Sequence, residues 1–144
     1  MPLESLHIRP TKRAAVTLLE AAGLPVSDLT DAHMEHFFYC GSLQSPTGLV
    51  GLEFCGEDVL LRSLVVAPSR RSAGLGATLL RQAEVHARTL GVRAIYLLTT
   101  TAGPFFRRHG YIATERASAP AAIRATREFS DICPASSELL CKEF

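Results

Sequence analysis

The sequence predicts a single mixed-sheet α/β domain, and three observations carry that prediction. Runs of apolar β-formers alternate with helical repeats along the chain, a strand, long helix, strand unit occupies its middle, and 144 residues suit one domain with its own core. At 47% hydrophobic and 20% charged, with a formal net charge of +1, the chain is not a disordered polymer and gives no reason to expect nucleic acid as a partner. No apolar run reaches the roughly 18 residues of a membrane span, and "MPLESLHIRP" has no signal-peptide apolar core. A soluble, cytoplasmic protein without a membrane partner is expected.

"SLHIRP" reads as the first strand. "TKRAAVTLLEAAG" follows as a helix capped by Thr11, with Val16, Leu19 and Ala22 on one side and Gly23 ending it before Pro25. "DLTDAHMEHF" is a second short helix. Residues 37–68 then hold three strand-like runs separated by "SPTG" and "CGED", turn chemistry that predicts an antiparallel meander. The third run, Val59 to Val66, is apolar except for Arg62 and Ser63, as a central strand covered on both faces would be.

From Gly74 the period changes. Leu75, Leu79, Ala83, Ala87 and Leu90 recur at helical spacing, with Gly91 as C-cap. "RAIYLLTT" is the next buried strand, and a right-handed crossover makes it parallel to Val59–Val66. The remainder alternates: "PFFRRHG" a short helix, "YIATER" a strand, "PAAIRATREF" a helix with proline in its first turn, and "SSELLCKEF" the last strand.

The stretch "APSRRSAGLGATLL" joins the central strand to the long helix. Backbone N–H groups of Arg71 to Gly76 can converge there on an anion, aided by the helix dipole. It matches neither a P-loop, since no G-K-[ST] follows, nor the Rossmann fingerprint, whose third glycine position is Leu79. Spacing alone leaves a pyrophosphate nest and a glycine-eased turn both open.

"SLVVAPSRRSAGLGATLL" in this context resembles the GNAT acetyltransferase superfamily, whose [RQ]-x-x-G-x-[GA] loop holds the pyrophosphate of acetyl-CoA. The likeness runs from about Ile8 to Glu143 through "RAIYLLTTTAGPFFRRHGYIATER". It implies a mostly antiparallel twisted sheet of about seven strands, a splayed parallel pair at its centre, and flanking helices. "LLRSLVVAP", "YLLTTTAGPFF" and "PAAIRATREFSDICPASS" are similar more narrowly to the arsenic-resistance N-acetyltransferases, which implies an amino-acid-like amine bearing an anionic group as acceptor. Acetyl-CoA would be the cosubstrate, and a homodimer stays open.

The resemblance assigns roles residue by residue. Leu64, Val65 and Val66 would pair with the pantetheine arm, an N–H near Val65 would stabilise the oxyanion, and Arg71, Ser72, Ala73, Gly74, Leu75 and Gly76 would line the pyrophosphate. Thr99 and Thr100 lie at the strand end near the splay, to orient substrate or CoA. The tyrosine that many members use as an acid for the departing thiolate aligns with Phe106, which would still contact the cofactor. That leaves Tyr111, Tyr96 or a water for the acid.

On the acceptor side, Glu53 interrupts an apolar strand and either reaches solvent, relays a proton through water or binds the substrate ammonium. Arg62, with Leu60, Leu64 and Val66 expected on its face, requires an anion: Glu53 or an acid group of the substrate. Arg124 and Arg127 are either a solvated helix face or, for Arg124, a second acid-binding fork. His33 and His36 share a face without a third ligand, so no metal is expected. Cys40, Cys55, Cys133 and Cys141 form no C-x-x-C pair and read as reduced, mostly buried thiols, Cys133 being the one that could face a ligand.

Overall fold

The structure is a computed structural model and describes residues 6–71, 74–132 and 136–144. Strands β1 (Leu6–Ile8), β2 (Phe37–Gly41), β3 (Pro46–Cys55), β4 (Asp58–Val66), β5 (Ala94–Thr99), β6 (Ile112–Thr114) and β7 (Glu138–Glu143) form one sheet in the order β1-β2-β3-β4-β5-β7-β6. Among the described residues only β4 and β5 run parallel, and every other neighbouring pair is antiparallel. Helices α1 (Lys12–Ala21), α2 (Leu75–Thr89), α3 (Gly103–Arg108) and α4 (Ala121–Arg124) flank it, with a 3-10 turn at Asp31–His36 and a π turn at Glu128–Ile132.

Local chemistry explains where elements begin. Thr11 caps α1 by accepting the Ala14 N–H at 3.1 Å, as the sequence predicts. The expected second helix is the 3-10 turn, opened by Thr30 and His33 in a reciprocal capping box. "SPTG" is not the first turn of the meander: Pro46, Thr47 and Gly48 already belong to β3. The reversal lies at Ser42–Ser45, where Ser42 Oγ accepts the Ser45 N–H at 3.0 Å. "PAAIRATREF" is not one helix either. After the single turn of α4, the Thr126 hydroxyl donates to Ile123 O at 2.7 Å and accepts the Phe129 N–H at 3.3 Å, diverting the backbone before the π turn.

One face of the sheet carries α2 and α3 over Val59, Leu61, Ile95 and Leu97. The other face carries two separate cores. Leu49, Val65 and Phe37 pack under α1, whereas Ile123 of α4 packs with Leu60 and Leu139. Arg62 occupies β4 between Leu60 of one core and Val65 of the other.

Two irregularities shape the centre. The register passes from Leu49↔Val65 to Gly51↔Arg62, so β4 uses one residue more than β3, and Ser63 there has a φ of 62°. The bulge corrects the expected facing: Leu64 and Val66 turn to the α2 side with Leu61, away from Arg62 and Leu60. The β4–β5 pairing covers only Asp58–Leu60 against Ala94–Tyr96, beyond which the two strands part.

Gly51, opposite Arg62, has the ring of Phe37 where a Cβ would stand. Gly51→Ala is expected to destabilise the protein by about 1–3 kcal/mol through overpacking, read as a lower urea midpoint with unchanged slope.

Candidate active site

The parting strands open a cavity of about 520 Å³ lined from both faces of the sheet. Leu24 comes from the α1 side and Phe106 from the α3 side, while Leu64, Thr99, Glu128 and Ser137 form the walls between them. A sheet is normally closed by its hydrogen-bond ladder. Here β5 keeps its bonds to β7 through Thr99 and lets go of β4 after Leu60, so the opening costs only the central ladder.

Arg62 lies at the edge of this opening, 2% exposed. Its guanidinium donates to both oxygens of Asp28, the Nη2 bond measuring 2.8 Å, to Glu53 Oε1 at 3.3 Å and to Ser63 Oγ at 3.2 Å. Glu128 Oε1 adds a fourth carboxylate oxygen 3.9 Å from Nε. Burial opposes the charge, but Asp28, Glu128 and Glu53 outweigh it and hold Arg62 a firm cation. Burial likewise raises Asp28, yet the Arg62 hydrogen bonds and charge prevail and keep its carboxyl below the ordinary range. Of the two partners the sequence offered Arg62, Glu53 is present; the dominant one, Asp28, comes from the loop after α1.

Glu128 is the unusual carboxyl. It is buried on the cavity wall, and its Oε2 has no hydrogen-bond partner among the described residues; neither has Ser137 Oγ. Burial pushes the Glu128 carboxyl up to about 7, Arg62 pulling it down only in part and Asp28 and Glu53 adding to the rise. Arg116 ties the two segments, donating to Ser137 O at 3.1 Å and to Phe129 O at 3.4 Å.

The sequence-predicted residues divide accordingly. Arg62, Leu64, Thr99, Thr100 and Phe106 line the cavity, and Thr99 Oγ1 also accepts the Ala102 N–H at 2.9 Å. Glu53 touches the site through Arg62 and lies with His33 Nε2 at 3.7 Å, outside the lining. Val65 pairs with Leu49 and buries its side chain under α1. Arg124 is exposed on α4 with Nε donating to Ala119 O at 3.0 Å and does not line the cavity.

The loop before α2 begins with Arg71, whose Nε donates to Val66 O at 3.1 Å. Gly74 then starts the helix with a φ of 78°, a conformation that favours glycine, and brings no side-chain cap to the first-turn N–H groups. Leu75 is buried against the sheet, and Gly76 faces Phe105 with room for ordinary contact. Ser72, Ala73 and Cys133 fall outside the described residues.

The two alternative tyrosines stand elsewhere. Tyr111 donates to Glu84 Oε2 at 2.8 Å beneath α2, and Tyr96, pushed up to about 12 mainly by burial, is not on the cavity lining. Asp28, His33 and Glu53 bring ligand atoms within 4.8 Å of one another, but the Arg62 guanidinium already faces both carboxylates. Sequence reasoning missed Asp28, Glu128 and Ser137. The available signal was Arg62 itself, since one buried guanidinium calls for more than one acceptor.

A seven-stranded mixed sheet opened at its single parallel pair is the GNAT fold. The chain belongs to the GNAT acetyltransferase family: the "Acetyltransferase (GNAT) domain" matches residues 33–113.

Among solved structures the chain is similar to N-acetylglutamate synthase from Neisseria gonorrhoeae complexed with coenzyme A and N-acetyl-glutamate. That likeness has a TM-score of 0.81 and 18% identity over 99% of this chain, which spans only 35% of the synthase. A GNAT-family acetyltransferase from Staphylococcus aureus Mu50 matches with a TM-score of 0.74 and 14% identity over 98% of this chain and 99% of that one. PaiA N-acetyltransferase from Thermoplasma acidophilum, in complex with coenzyme A, gives 0.64 and 14% over 97% and 99%. No curated protein matches the chain. No helix among the described residues is long and apolar enough to cross a membrane.

Asp28→Ala strands a buried cation and is expected to cost about 3–5 kcal/mol, measured by urea unfolding, with Asp28→Ala/Arg62→Met recovering a large part. Glu128 binds its proton more tightly folded than unfolded, so its contribution to stability falls as pH rises from its ordinary 4.5 to about 7. The stability of Glu128→Gln relative to the parent should therefore rise across that window and level off above it, followed by denaturation at several pH values.

Proposed function

We propose that the protein transfers the acetyl group of acetyl-CoA to the amine of a small molecule by direct attack in a ternary complex. The observation that carries this reading is the cavity at the parted strands, lined from both faces of the sheet, and it supports donor and acceptor meeting in one gap between β4 and β5. On the donor side, Leu64, Val65 and Val66 accompany the pantetheine arm like an added strand. Arg71, Ser72, Ala73, Gly74, Leu75 and Gly76 cradle the pyrophosphate, and Thr100 and Phe106 flank the thioester end. A backbone N–H near Val65 meets the oxyanion.

On the acceptor side the reading assigns Thr99 to orientation, and Glu53 and Arg62 to a charged array behind the reacting amine. Glu53 stays linked to the gap through Arg62, a path for relaying charge. The likeness to the arsenic-resistance N-acetyltransferases supports an amino-acid-like acceptor with an anionic group. Such a group calls on Arg124 more than on Arg62, because Arg62 already donates four hydrogen bonds inside the protein. Arg124 is exposed, with Nε donating to Ala119 O.

Phe106 in place of the usual tyrosine favours one second reading, an acyl-CoA-binding or sensing domain without turnover. The two separate in a paired experiment. Thiol release from acetyl-CoA, with small primary amines including phosphinothricin, is expected for the transferase; acetyl-CoA binding by calorimetry without thiol release for every amine defeats it. Arg71→Ala is expected to weaken acetyl-CoA binding about tenfold in the same calorimeter while leaving amine specificity unchanged.

A further inference from the structure

Of the three carboxylates around Arg62, two are spent. Asp28 gives both oxygens to the guanidinium, and Glu53 gives Oε1 to it from outside the cavity lining. Glu128 differs on every count: it lines the cavity, its Oε1 stands 3.9 Å from Arg62 Nε, and its Oε2 is buried with no partner among the described residues. Ser137 lines the same wall with an equally unpartnered hydroxyl. A buried carboxylate oxygen and a buried hydroxyl without partners are costly unless something else completes them.

We propose that Glu128 is the proton acceptor of the reaction and that Ser137 helps hold the acceptor amine against it, an inference that rests on the transferase reading above. The substrate ammonium docks on Glu128 Oε2 and gives it one proton. The freed nitrogen lone pair attacks the thioester carbon, forming the N–C bond as the carbonyl π pair moves to oxygen. Collapse of that oxyanion restores C=O and breaks C–S. CoA departs as a thiolate, which takes the second amine proton, and Glu128 returns the first to solvent, so amide, thiol and one proton are the products.

The surroundings suit this role. Arg62 from β4, Asp28 from the loop after α1 and Glu53 from β3 are the charged groups that face Glu128 and set its affinity for a proton, with His33 behind Asp28 and Glu53. A carboxyl at about 7 lies within about one unit of an α-ammonium near 8, so the transfer is close to balanced. Arg116 fixes the position by bonding Phe129 O and Ser137 O together while stacking on the Phe129 ring at 4.6 Å.

The test is steady-state acetylation of phosphinothricin, L-glutamate, glycinamide and butylamine, followed by thiol release from pH 5.5 to 9. For the amine turned over best, Glu128→Gln should lower kcat about 100-fold and replace the acidic limb of kcat/KM set by Glu128 with one that follows the amine's own ionisation, with CoA affinity within about twofold of the parent by calorimetry. Glu128→Asp should keep the limb at a reduced kcat, and Ser137→Ala should raise the amine KM with a smaller effect on kcat. Near-parental kcat and an unchanged pH profile in Glu128→Gln overturn the proposal and leave the transferase reading standing. Thiol release by the parent with none of the amines overturns both. Should Glu128→Gln fail to fold by circular dichroism, Glu128→Asp decides, since an unaltered kcat there also overturns the assignment.

Discussion

A single buried guanidinium gathers the parts of this molecule that must act together. Arg62 projects from the central strand into the interval between two small cores, and its partners come from the loop after α1, from β3 and from the π turn. Each of these segments has its own apolar anchor, Leu29 beside Asp28, Leu52 on β3 and Phe129 on the π turn, and the three anchors lie in different cores. The ion cluster does what packing does elsewhere on the sheet, with directional bonds in place of area. Desolvating the charges is expensive, and removing any one leaves the others exposed to that expense. The wall of the cavity thus has one geometry or none.

Much of the architecture was legible because it rests on local rules. The long helix announces itself by Leu75, Leu79, Ala83 and Ala87, and the parallel crossover follows from chain chirality. The element order was readable in the same way. What escaped are contacts made at long range and departures from period. Asp28 stands in a polar stretch with nothing to link it to Arg62, and the Ser63 bulge is one residue that changes the meaning of those after it. Glu128 lay inside a stretch expected to be plain helix, where a charged residue reads as solvated.

The break after α4 is what brings Glu128 to the cavity. Thr126 satisfies Ile123 O and the Phe129 N–H with one hydroxyl, so the chain can leave α4 and re-enter a helical turn along another axis. Had α4 simply continued, residues four apart would share a face, and Glu128 would lie over Arg124 toward solvent. The interruption turns Glu128 inward and leaves Arg124 outside. Phe129 completes the small core with Leu60 and Leu139, anchoring the turn on the same strands that border the opening.

The bulge at Ser63 has a further consequence. A strand alternates its side chains with strict parity, and an added residue acts as a phase slip: before it odd and even positions mean one thing, after it the reverse. Strand β4 is therefore two half-strands in sequence: before the slip the even positions Leu60 and Arg62 face the α1 and α4 side, and after it the even positions Leu64 and Val66 face the helix-covered side. Each half can change its side chains without obliging the other to follow. A fold that keeps this slip can exchange what it does on one side of the sheet while holding fixed what it grips on the other.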